Sequence, residues 1–315
     1  GVPVAFTMVI AGLAAVLVQG SLSPISAVQN MFAGIDSFPL LAIPFFILAA
    51  ELMTGGALTE VLLQFASRLV GHVRGGLGHT NVMTLTFFSG ISGSALADVA
   101  GPGSMLIRMM RKDGYPAEYA AALTAATAIV GPIIPPSIIM IVYALTETSV
   151  SIMGLFLAGI IPGLMITGSL LIVNHVQSVR RDFRSSITRP TFAELARSFV
   201  RALPALLLPV IILGGIHFGI FTPTEASAAA VLYALLVGRF LYGTLRFGAL
   251  PAILFRTALL TSSIMMVIGM SEIFAWVLTI GQVPQTVAQW IGAFELGPLE
   301  LLLLINVFLL LAGIF

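Results

Sequence analysis

The fold is decided by two stretches, Ser89-Gly90-Ile91-Ser92-Gly93-Ser94-Ala95-Leu96-Ala97-Asp98 and Val130-Gly131-Pro132-Ile133-Ile134-Pro135-Pro136-Ser137. Each interrupts a long apolar segment with residues that do not favour a helix. Proline has no backbone N–H and disfavours helix at the residue before it. The prolines of the second stretch therefore predict an unwound link between two half-helices within about 119–145.

The composition places these stretches in a membrane. Of the 315 residues, 58% are hydrophobic and only 9% are charged, whereas a soluble domain carries roughly 25% charged residues. A span needs about 20 apolar residues, and uncharged runs of that length occur at 120–146, 148–179, 202–224 and 273–294. Strands of alternating polarity are absent, so we predict an all-α polytopic membrane protein and not a β-barrel.

Simple counts exclude several function classes. The chain contains no Cys, which excludes disulfides, thiolate nucleophiles and Cys-based zinc sites. Its formal net charge of +1 gives no reason to expect a nucleic-acid partner. His72, His79 and His175 have no spacing typical of a metal site.

The basic residues predict the orientation of the chain in the membrane. Twelve of the 14 lie in three clusters, and short basic loops stay on the cytoplasmic side. We expect these loops to face the cytoplasm, with the turns at 146–151 and at Thr222-Pro223-Thr224-Glu225 on the outer side. The second of these turns has the pattern of a helix capping box. The clusters are Arg108, Arg111 and Lys112; Arg180, Arg181, Arg184, Arg189, Arg197 and Arg201; and Arg239, Arg246 and Arg256.

The first stretch is predicted to form a re-entrant hairpin. Its basic flanks, Arg74 and Arg108, face the same side and are separated by 33 residues, too few for two full spans and a connection. We expect residues 81–89 to enter the membrane, the Gly/Ser tip to turn near its middle, and 97–108 to return. The hairpin would then occupy about 81–108.

The two helix breaks together predict a sodium site. Unpaired carbonyls in hydrocarbon are costly and are tolerated only where protein, water or an ion satisfies them. Hydroxyls of the tip and carbonyls of both breaks form a hard, formally neutral set of oxygen donors, which suits Na⁺. Close packing of small residues between helices is the alternative explanation of the Ser/Gly pattern. The predicted sodium ligands are Ser92, Gly93, Ser94, Gly131, Pro132 and Ile134.

Asp98 is the ionisable residue next to the predicted tip. A charged group at membrane depth is costly, and by default it indicates a functional role. Asp98 could instead be the N-cap of the returning half-helix, which would still place it close to the site.

An internal repeat is the basis for the predicted domain organisation. Residues 38–90 and 258–313 share an approximate order of features, and the predicted topology gives the two copies opposite orientations. Inverted repeats with broken helices are the architecture of secondary transporters. Each copy has a long apolar helix that contains a Glu, then Gly, then a short segment, and then an Asn that starts the next apolar run. These residues are Glu51, Gly55-Gly56 and Asn81 in the first copy and Glu272, Gly281 and Asn306 in the second.

We accordingly divide the chain into five parts. They are 1–37, an N-terminal scaffold helix region; 38–175, the first repeat; 176–201, a cytoplasmic loop with an amphipathic arm helix over 189–201; 202–256, scaffold helices; and 257–315, a partial second repeat that is cut within its hairpin.

Further motifs occur in a fixed order along the chain. They are Ile43-Pro44-Phe45-Phe46, Glu51-Leu52-Met53, Ser89 to Asp98, Gly114-Tyr115, Gly131 to Ser137, Tyr143, FLAGIIPG at Phe156 to Gly163, and Thr222 to Glu225. In combination these motifs resemble the large membrane subunit of the tripartite ATP-independent periplasmic (TRAP) transporters. Each of them alone is weak.

The resemblance implies an inverted-repeat, elevator-type sodium symporter of the ion-transporter superfamily type, with no enzymatic activity. It would take up an organic anion such as a C4-dicarboxylate or a sialic acid across a bacterial inner membrane. It implies two protein partners, a small membrane subunit and a periplasmic binding protein that delivers the substrate. Membrane lipid surrounds the spanning helices. The anion is expected at the hairpin tip, with Asp98 organising the loop. The substrate-site residues are Ser92, Gly93, Ser94, Asp98, Pro135 and Ser137.

The ends of the chain depart from the family pattern. The family continues through a second hairpin and a second broken helix, which do not follow before Phe315, and Gly1-Val2-Pro3 resembles a stretch slightly inside the family's start. We therefore expect a fragment that cannot run a transport cycle by itself.

Two other function classes remain open at this point. Gly90-Ile91-Ser92-Gly93 matches the Gly-x-Ser-Gly string of rhomboid intramembrane serine proteases, with Ser92 as nucleophile and His217 as base. The predicted topology disfavours this because it puts His217 near the outer face. A channel or structural scaffold is the other alternative, although the polar groups are concentrated in one repeat and do not form rings of charge.

Overall fold

The computed structural model of the protein describes residues 2–20, 23–53, 56–146, 149–183, 187–243, 245–294 and 296–313. These residues form helices joined by turns, and none of them lies in a β-strand. The helices are α1 (Val4–Gln19), α2 (Pro24–Ile35), α3 (Ala42–Met53), α4 (Gly56–Val70), α5 (Gly76–Ser92), α6 (Ala95–Asp98), α7 (Ser104–Lys112), α8 (Ala117–Ala128), α9 (Ile138–Thr146), α10 (Ile152–Arg180), α11 (Phe192–His217), α12 (Pro223–Leu236), α13 (Leu250–Ile280), α14 (Val283–Gly292) and α15 (Pro298–Ala312). Some sequence predictions lie outside the described residues, namely those on Gly1, Gly55, the middle of the turn at 146–151, Arg184 and Phe315.

Within the described residues, four helices are long and apolar enough to cross a membrane, which confirms an all-α, multi-pass membrane protein. The count rises to five if Pro24–Ile35 and Phe38–Met53 form one interrupted span. The four are Ile152–Arg180, Phe192–His217, Pro223–Leu241 and Phe247–Ile280.

The uncharged run at 273–294 is not one span, contrary to the sequence prediction. α13 ends at Ile280 and α14 begins at Val283. Gln282 between them has a φ of 53°, in the left-handed region, which ends a right-handed helix. Pro284 in the first turn of α14 has no N–H to continue the hydrogen bonds of α13.

The chain divides by its internal contacts into two units. One unit is Ser37–Ser262, and the other combines Gly1–Asp36 with Ser263–Phe315. In the second unit, a core of Val16, Ala27 and Ile273 is buried between α1, α2 and the last part of α13. The first unit contains both stretches on which the functional predictions depend.

Residues 76–112 form a helical hairpin. α5 runs to Ser92, and after a break at Gly93 and Ser94 the chain returns through α6, a π-helical turn at Val99–Gly103, and α7. The π-helical turn contains Pro102, whose missing N–H is tolerated there because the regular ladder is already interrupted. The hairpin thus has one continuous arm and one irregular arm.

Side-chain contacts pair the two arms in opposite directions. Leu85 packs with Leu106, and further from the tip the Asn81 amide donates to Met110 Sδ at 3.4 Å. The first arm begins at Gly76, so Asn81 lies inside the helix and does not start it. The early start follows from the local sequence, because the residues between 76 and 81 include no proline that would end a helix.

The second stretch breaks a helix, as its prolines predict. α8 ends at Ala128, α9 begins at Ile138, and the residues 129–137 between them form turns and bends. This link lies against α10, where Gly159 and Gly163 leave room for it. A Cβ at Gly163 would lie 2.5 Å from Ile134 Cγ1, so the close approach requires a residue without a side chain.

α10 also contacts the hairpin at two levels. The hydroxyls of Thr86 and Thr167 lie 3.1 Å apart, and both residues are buried. Near the start of α5, the fully buried Asn174 donates from Nδ2 to Gly75 O at 3.2 Å and accepts from the Tyr119 hydroxyl at 2.9 Å. α10 therefore holds both the hairpin and the broken helix.

The predicted arm helix over 189–201 is not a separate element. α11 runs without interruption from Phe192 to His217, although it contains Pro204 and Pro209. Prolines inside a helix deprive nearby carbonyls of their donors. In this helix the carbonyls that lose their donors are those of Val200 and Ala205, four residues before the prolines. Close to them, the Tyr242 hydroxyl donates to Arg201 O at 2.9 Å and the Tyr233 hydroxyl donates to Pro204 O at 2.7 Å. The helix thus continues past residue 201 with tertiary hydrogen bonds close to Pro204.

The capping box predicted at Thr222 is confirmed. Glu225 N donates to Thr222 Oγ1 at 3.3 Å, and Thr222 N donates to Glu225 Oε2 at 2.8 Å. The same reciprocal pair, Thr191 and Glu194, starts α11. Both boxes satisfy backbone donors that the first turn of a helix leaves unpaired.

We expect Asn174→Ala to lower the free energy of unfolding by about 2 kcal/mol, because it removes the two hydrogen bonds by which this fully buried side chain joins Gly75 O and the Tyr119 hydroxyl. Reversible unfolding in mixed micelles measures the effect. Asn306→Ala is the matched control, since Asn306 is exposed and donates only within its own helix, to Leu302 O. Equal effects of the two substitutions would contradict this account of the hairpin base.

Candidate functional site

The hairpin tip is formed by a left-handed glycine and a serine cap. Gly93 has a φ of +58°, which residues with a side chain rarely adopt, and its N–H closes α5 by donating to Ser89 O at 3.1 Å. Ser94 is the N-cap of α6 and accepts from Ala97 N at 3.4 Å. The chain therefore reverses within two residues and leaves few backbone groups unpaired.

Asp98 is the ionisable residue at the centre of the tip. Its side chain is completely buried, and its carboxylate accepts a hydrogen bond from the Ser92 hydroxyl. It also accepts from the Ser89 hydroxyl at 3.1 Å, which shares its one hydrogen with Leu85 O at 2.7 Å. Ser92 Oγ in turn accepts from Ser94 N at 3.3 Å. The N-cap of the returning helix is Ser94 and not Asp98. Asp98 instead joins α6 to the end of α5 through its hydrogen bonds to the serines.

The unwound link is held by its own serine. Ser137 Oγ donates to Pro132 O at 2.7 Å and accepts from Met140 N at 3.3 Å, which caps α9. Ile133 N and Ile134 N both donate to Val130 O, at 3.0 and 2.9 Å. Each proline has a backbone carbonyl but no N–H, so the link has more backbone acceptors than donors.

The tip and the link are in direct contact at two glycines. A Cβ added at Gly131 would lie 2.7 Å from Asp98 Oδ2 and 3.0 Å from Ala95 N. On the other side, Gly93 lies against Pro136 O, and a Cβ there would come within 3.3 Å of Ser137 Cα. The carboxylate of Asp98 therefore faces the link, and the two helix breaks meet at one place.

Most of the residues predicted for the site belong to this contact. Ser92, Gly93 and Asp98 are buried at the tip, whereas Ser94 is partly exposed. Gly131, Pro132, Pro135 and Ser137 lie in the facing link, and Pro135 O would be 3.7 Å from a Cβ at Gly90. Ile134 differs from the others because its side chain packs on α10 at Gly163.

Two participants were not identified from the sequence as site residues. Ser89 bonds the Asp98 carboxylate, and Pro136 supplies the carbonyl against Gly93. The spacing of Ser89 and Ser92, three residues apart on one helix face, is a signal that could have identified Ser89. The structure also places the Asp98 carboxyl group next to the predicted sodium ligands, at Gly131.

The comparisons with known proteins agree with the motif resemblance. The whole chain, residues 1–315, matches the family described as "Tripartite ATP-independent periplasmic transporter, DctM component". It is 42% identical over 315 residues to the sialic acid TRAP transporter large permease protein SiaM of Vibrio cholerae, covering 100% of this chain and 73% of that protein. It is 38% identical over 313 residues to the 2,3-diketo-L-gulonate TRAP transporter large permease protein YiaN of Escherichia coli, covering 99% and 73%. It is 41% identical over 287 residues to the C4-dicarboxylate TRAP transporter large permease protein DctM of Pseudomonas aeruginosa, covering 91% and 66%.

These matches and the geometry decide against the serine protease. The family is one of transporter permeases, not enzymes. In the structure the Ser92 hydroxyl donates to Asp98, whereas a serine nucleophile must donate to a general base that is free to take its proton. His217, the base in that alternative, lies at the end of α11 with its ring against Phe218.

We expect Gly131→Ala to lower the free energy of unfolding by about 1–3 kcal/mol, because its Cβ would collide with Asp98 and Ala95 and separate the tip from the link. The unfolding midpoint in mixed micelles is the measurement. Gly101→Ala is the matched control from the same hairpin, since nothing lies within 4 Å of a Cβ there. If Gly131→Ala unfolded like the wild type, the close contact between tip and link would be wrong.

Proposed function

Because the chain belongs to the DctM component family of TRAP transporters, we propose that it carries an organic anion into a bacterial cell by sodium-coupled symport. The observation that supports this function best is the contact between the hairpin tip and the unwound link, with the Asp98 carboxylate between them. Paired helix breaks of this kind are where secondary transporters bind their substrate and coupling ion.

A buried carboxylate at this place favours a cation. Asp98 is completely buried, and among the described residues no Lys or Arg forms an ion pair with it. An isolated buried carboxylate is strongly unfavourable unless it is neutralised. Two serine hydroxyls reduce this cost by hydrogen bonding but bring no positive charge. A bound cation would supply the missing charge.

The donors at the contact suit sodium. They are the carboxylate and hydroxyl oxygens of the tip together with the carbonyls of the link, such as Pro136 O, and all of them are hard oxygen donors. We propose that Na⁺ is taken up as co-substrate between Ser92, Gly93 and Ser94 on the tip and Gly131 and Pro132 on the link, with Asp98 on the sodium side. Ile134 would contribute only its backbone, because its side chain packs on α10.

The organic anion would bind on the exposed side of the same tip. Ser94 is partly exposed there, whereas Ser137, the last residue of the link, is buried. An anion next to Asp98 is repelled unless a cation lies between them. Sodium would therefore have to bind before or together with the anion, which is the physical basis of coupled uptake. Asp98 would organise the tip without touching the substrate.

The relatives define the range of substrates and partners to be tested. Proteins named for sialic acid, C4-dicarboxylate and isethionate transport are 42%, 41% and 37% identical to this chain. We propose that the protein works in the inner membrane with a small membrane subunit and a periplasmic binding protein that delivers the anion. We also propose that the two repeats are inverted and that the substrate site moves as an elevator.

We expect Ser92→Ala to raise the sodium concentration for half-maximal uptake about tenfold, because it removes one of the proposed sodium ligands, a contact to a charged group worth about 1.5 kcal/mol. Asp98→Asn should raise it further, since the amide carries no charge to attract the cation. Uptake of the anion that the cognate binding protein carries, measured in proteoliposomes over a series of sodium concentrations, provides the values.

Ser169→Ala is the control for the uptake experiment, because Ser169 is an exposed serine that donates only to Met165 O of its own helix. It should leave the sodium dependence unchanged. Uptake driven by a proton gradient without sodium, and abolished by Asp98→Asn, would replace sodium coupling by proton coupling. An unchanged sodium dependence in both site variants would contradict the assignment of the site.

A further inference from the structure

A basic cleft lies between α4 and the first turns of α11, away from the transport site. Its volume is about 660 Å³. Arg68 of α4 and Arg197 and Arg201 of α11 line it, together with the hydroxyl residues Ser67 and Ser198. Glu194 is the carboxylate among the described lining residues, so three guanidinium groups face one negative charge.

The acid is already engaged by other groups. Glu194 Oε2 accepts from Thr191 N at 2.9 Å in the capping box and lies 3.7 Å from Arg68 Nη1. An ion pair at this separation between side chains that are nearly half exposed stabilises the fold little. Arg197 and Arg201 lie one turn apart on the same face of α11 and are both exposed. The cleft therefore has an excess of positive charge that a bound anion would balance.

The length of α11 places the cleft at the depth of lipid headgroups. Its 26 residues extend about 39 Å, whereas the hydrocarbon core of a bilayer is about 30 Å thick. The apolar part of the helix lies toward His217, so its first turns, which carry Arg197 and Arg201, project into the headgroup layer. By the orientation that we propose from the basic loops, this is the cytoplasmic leaflet.

Apolar side chains lie on either side of these arginines. Phe192 is 86% and Val200 is 64% exposed, although both belong to the turns that carry the basic residues. Phe199 packs on Phe65 of α4 with ring centroids 5.6 Å apart, which holds the two helices together beside the cleft. Exposed apolar and basic side chains on the same helical turns are typical of a surface that contacts both acyl chains and anionic headgroups.

We propose that this cleft binds the phosphate of an anionic phospholipid of the cytoplasmic leaflet. Guanidinium groups bind phosphate oxygens in pairs of parallel hydrogen bonds, and a cleft with arginines on two helices can grip one phosphate from both sides. Basic pockets between membrane helices on the cytoplasmic side are suited to such headgroups. The bound lipid would fix the start of α11 against α4.

The test compares lipid binding to the purified protein and its variants by native mass spectrometry in detergent, with phosphatidylglycerol and phosphatidylcholine as probes. The wild type should bind phosphatidylglycerol in preference to phosphatidylcholine. The double variant Arg197→Gln, Arg201→Gln should bind it about 25-fold more weakly, since each basic residue near an anionic surface contributes about a factor of five.

The control is the double variant Arg108→Gln, Arg111→Gln, which removes the same charge from two exposed arginines of α7 outside the cleft. It should change phosphatidylglycerol binding less than about twofold, because these arginines do not contact a lipid bound in the cleft and the factor of about five applies only to residues near the headgroup. If both double variants weaken binding equally, the attraction is general and the proposed site is wrong. Unchanged binding in the cleft variant overturns it as well.

Glu194→Gln provides a second test, in which lipid binding should become tighter. A variant that only weakened the fold would not give this result. Glutamine can replace glutamate in a capping box, so the start of α11 should persist while the negative charge of the cleft is lost. We expect phosphatidylglycerol to bind about fivefold more tightly. Weaker binding in this variant would contradict the proposal. Inorganic phosphate that competes fully with the lipid at millimolar concentration would show a site for free phosphate and overturn the lipid assignment.

Discussion

The structure depends on one constraint, the need to satisfy backbone groups wherever a helix breaks inside a membrane. In water, solvent pairs with the carbonyls and N–H groups that a break exposes, whereas in hydrocarbon the protein must supply the partners. This chain breaks two helices and brings the breaks together, so that Gly93 meets the Pro136 carbonyl and Gly131 meets Asp98. Each break becomes part of the surroundings of the other.

The position of Asp98 gives this arrangement an electrical requirement. The carboxylate is buried between the tip and the link, with the hydroxyls of Ser89 and Ser92 beside it and Gly131 of the link against it. The hydroxyls turn their hydrogens toward the carboxylate but carry no net positive charge. An ionised Asp98 would favour a cation there and repel an anion, so the coupling of sodium to substrate that we propose would follow from electrostatics.

Local chemistry was predictable from the sequence, and long-range compensation was not. The broken helix follows from its prolines, and the capping box at Thr222 follows from a four-residue pattern. The hydroxyls of Tyr233 and Tyr242, which bond carbonyls of α11 near its first proline, come from residues far away in the sequence, so this support could not be predicted from the local pattern. The contribution of Ser89 likewise became clear only when Asp98 was found beside it. The site residues could be named from helix breaks, but their partners required the fold.

α10 limits how the site can move. It packs on the link at Gly159 and Gly163, on the middle of the hairpin through Thr167, and on the hairpin base through Asn174. Separating the tip from the link would require at least one of these buried contacts to break, and it would also expose Asp98 to hydrocarbon or water without its neighbours. Moving tip, link and α10 together leaves all of these contacts intact. The packing therefore favours alternating access in which the site is carried as one body, the elevator motion that we propose, over a gate that opens between the two breaks.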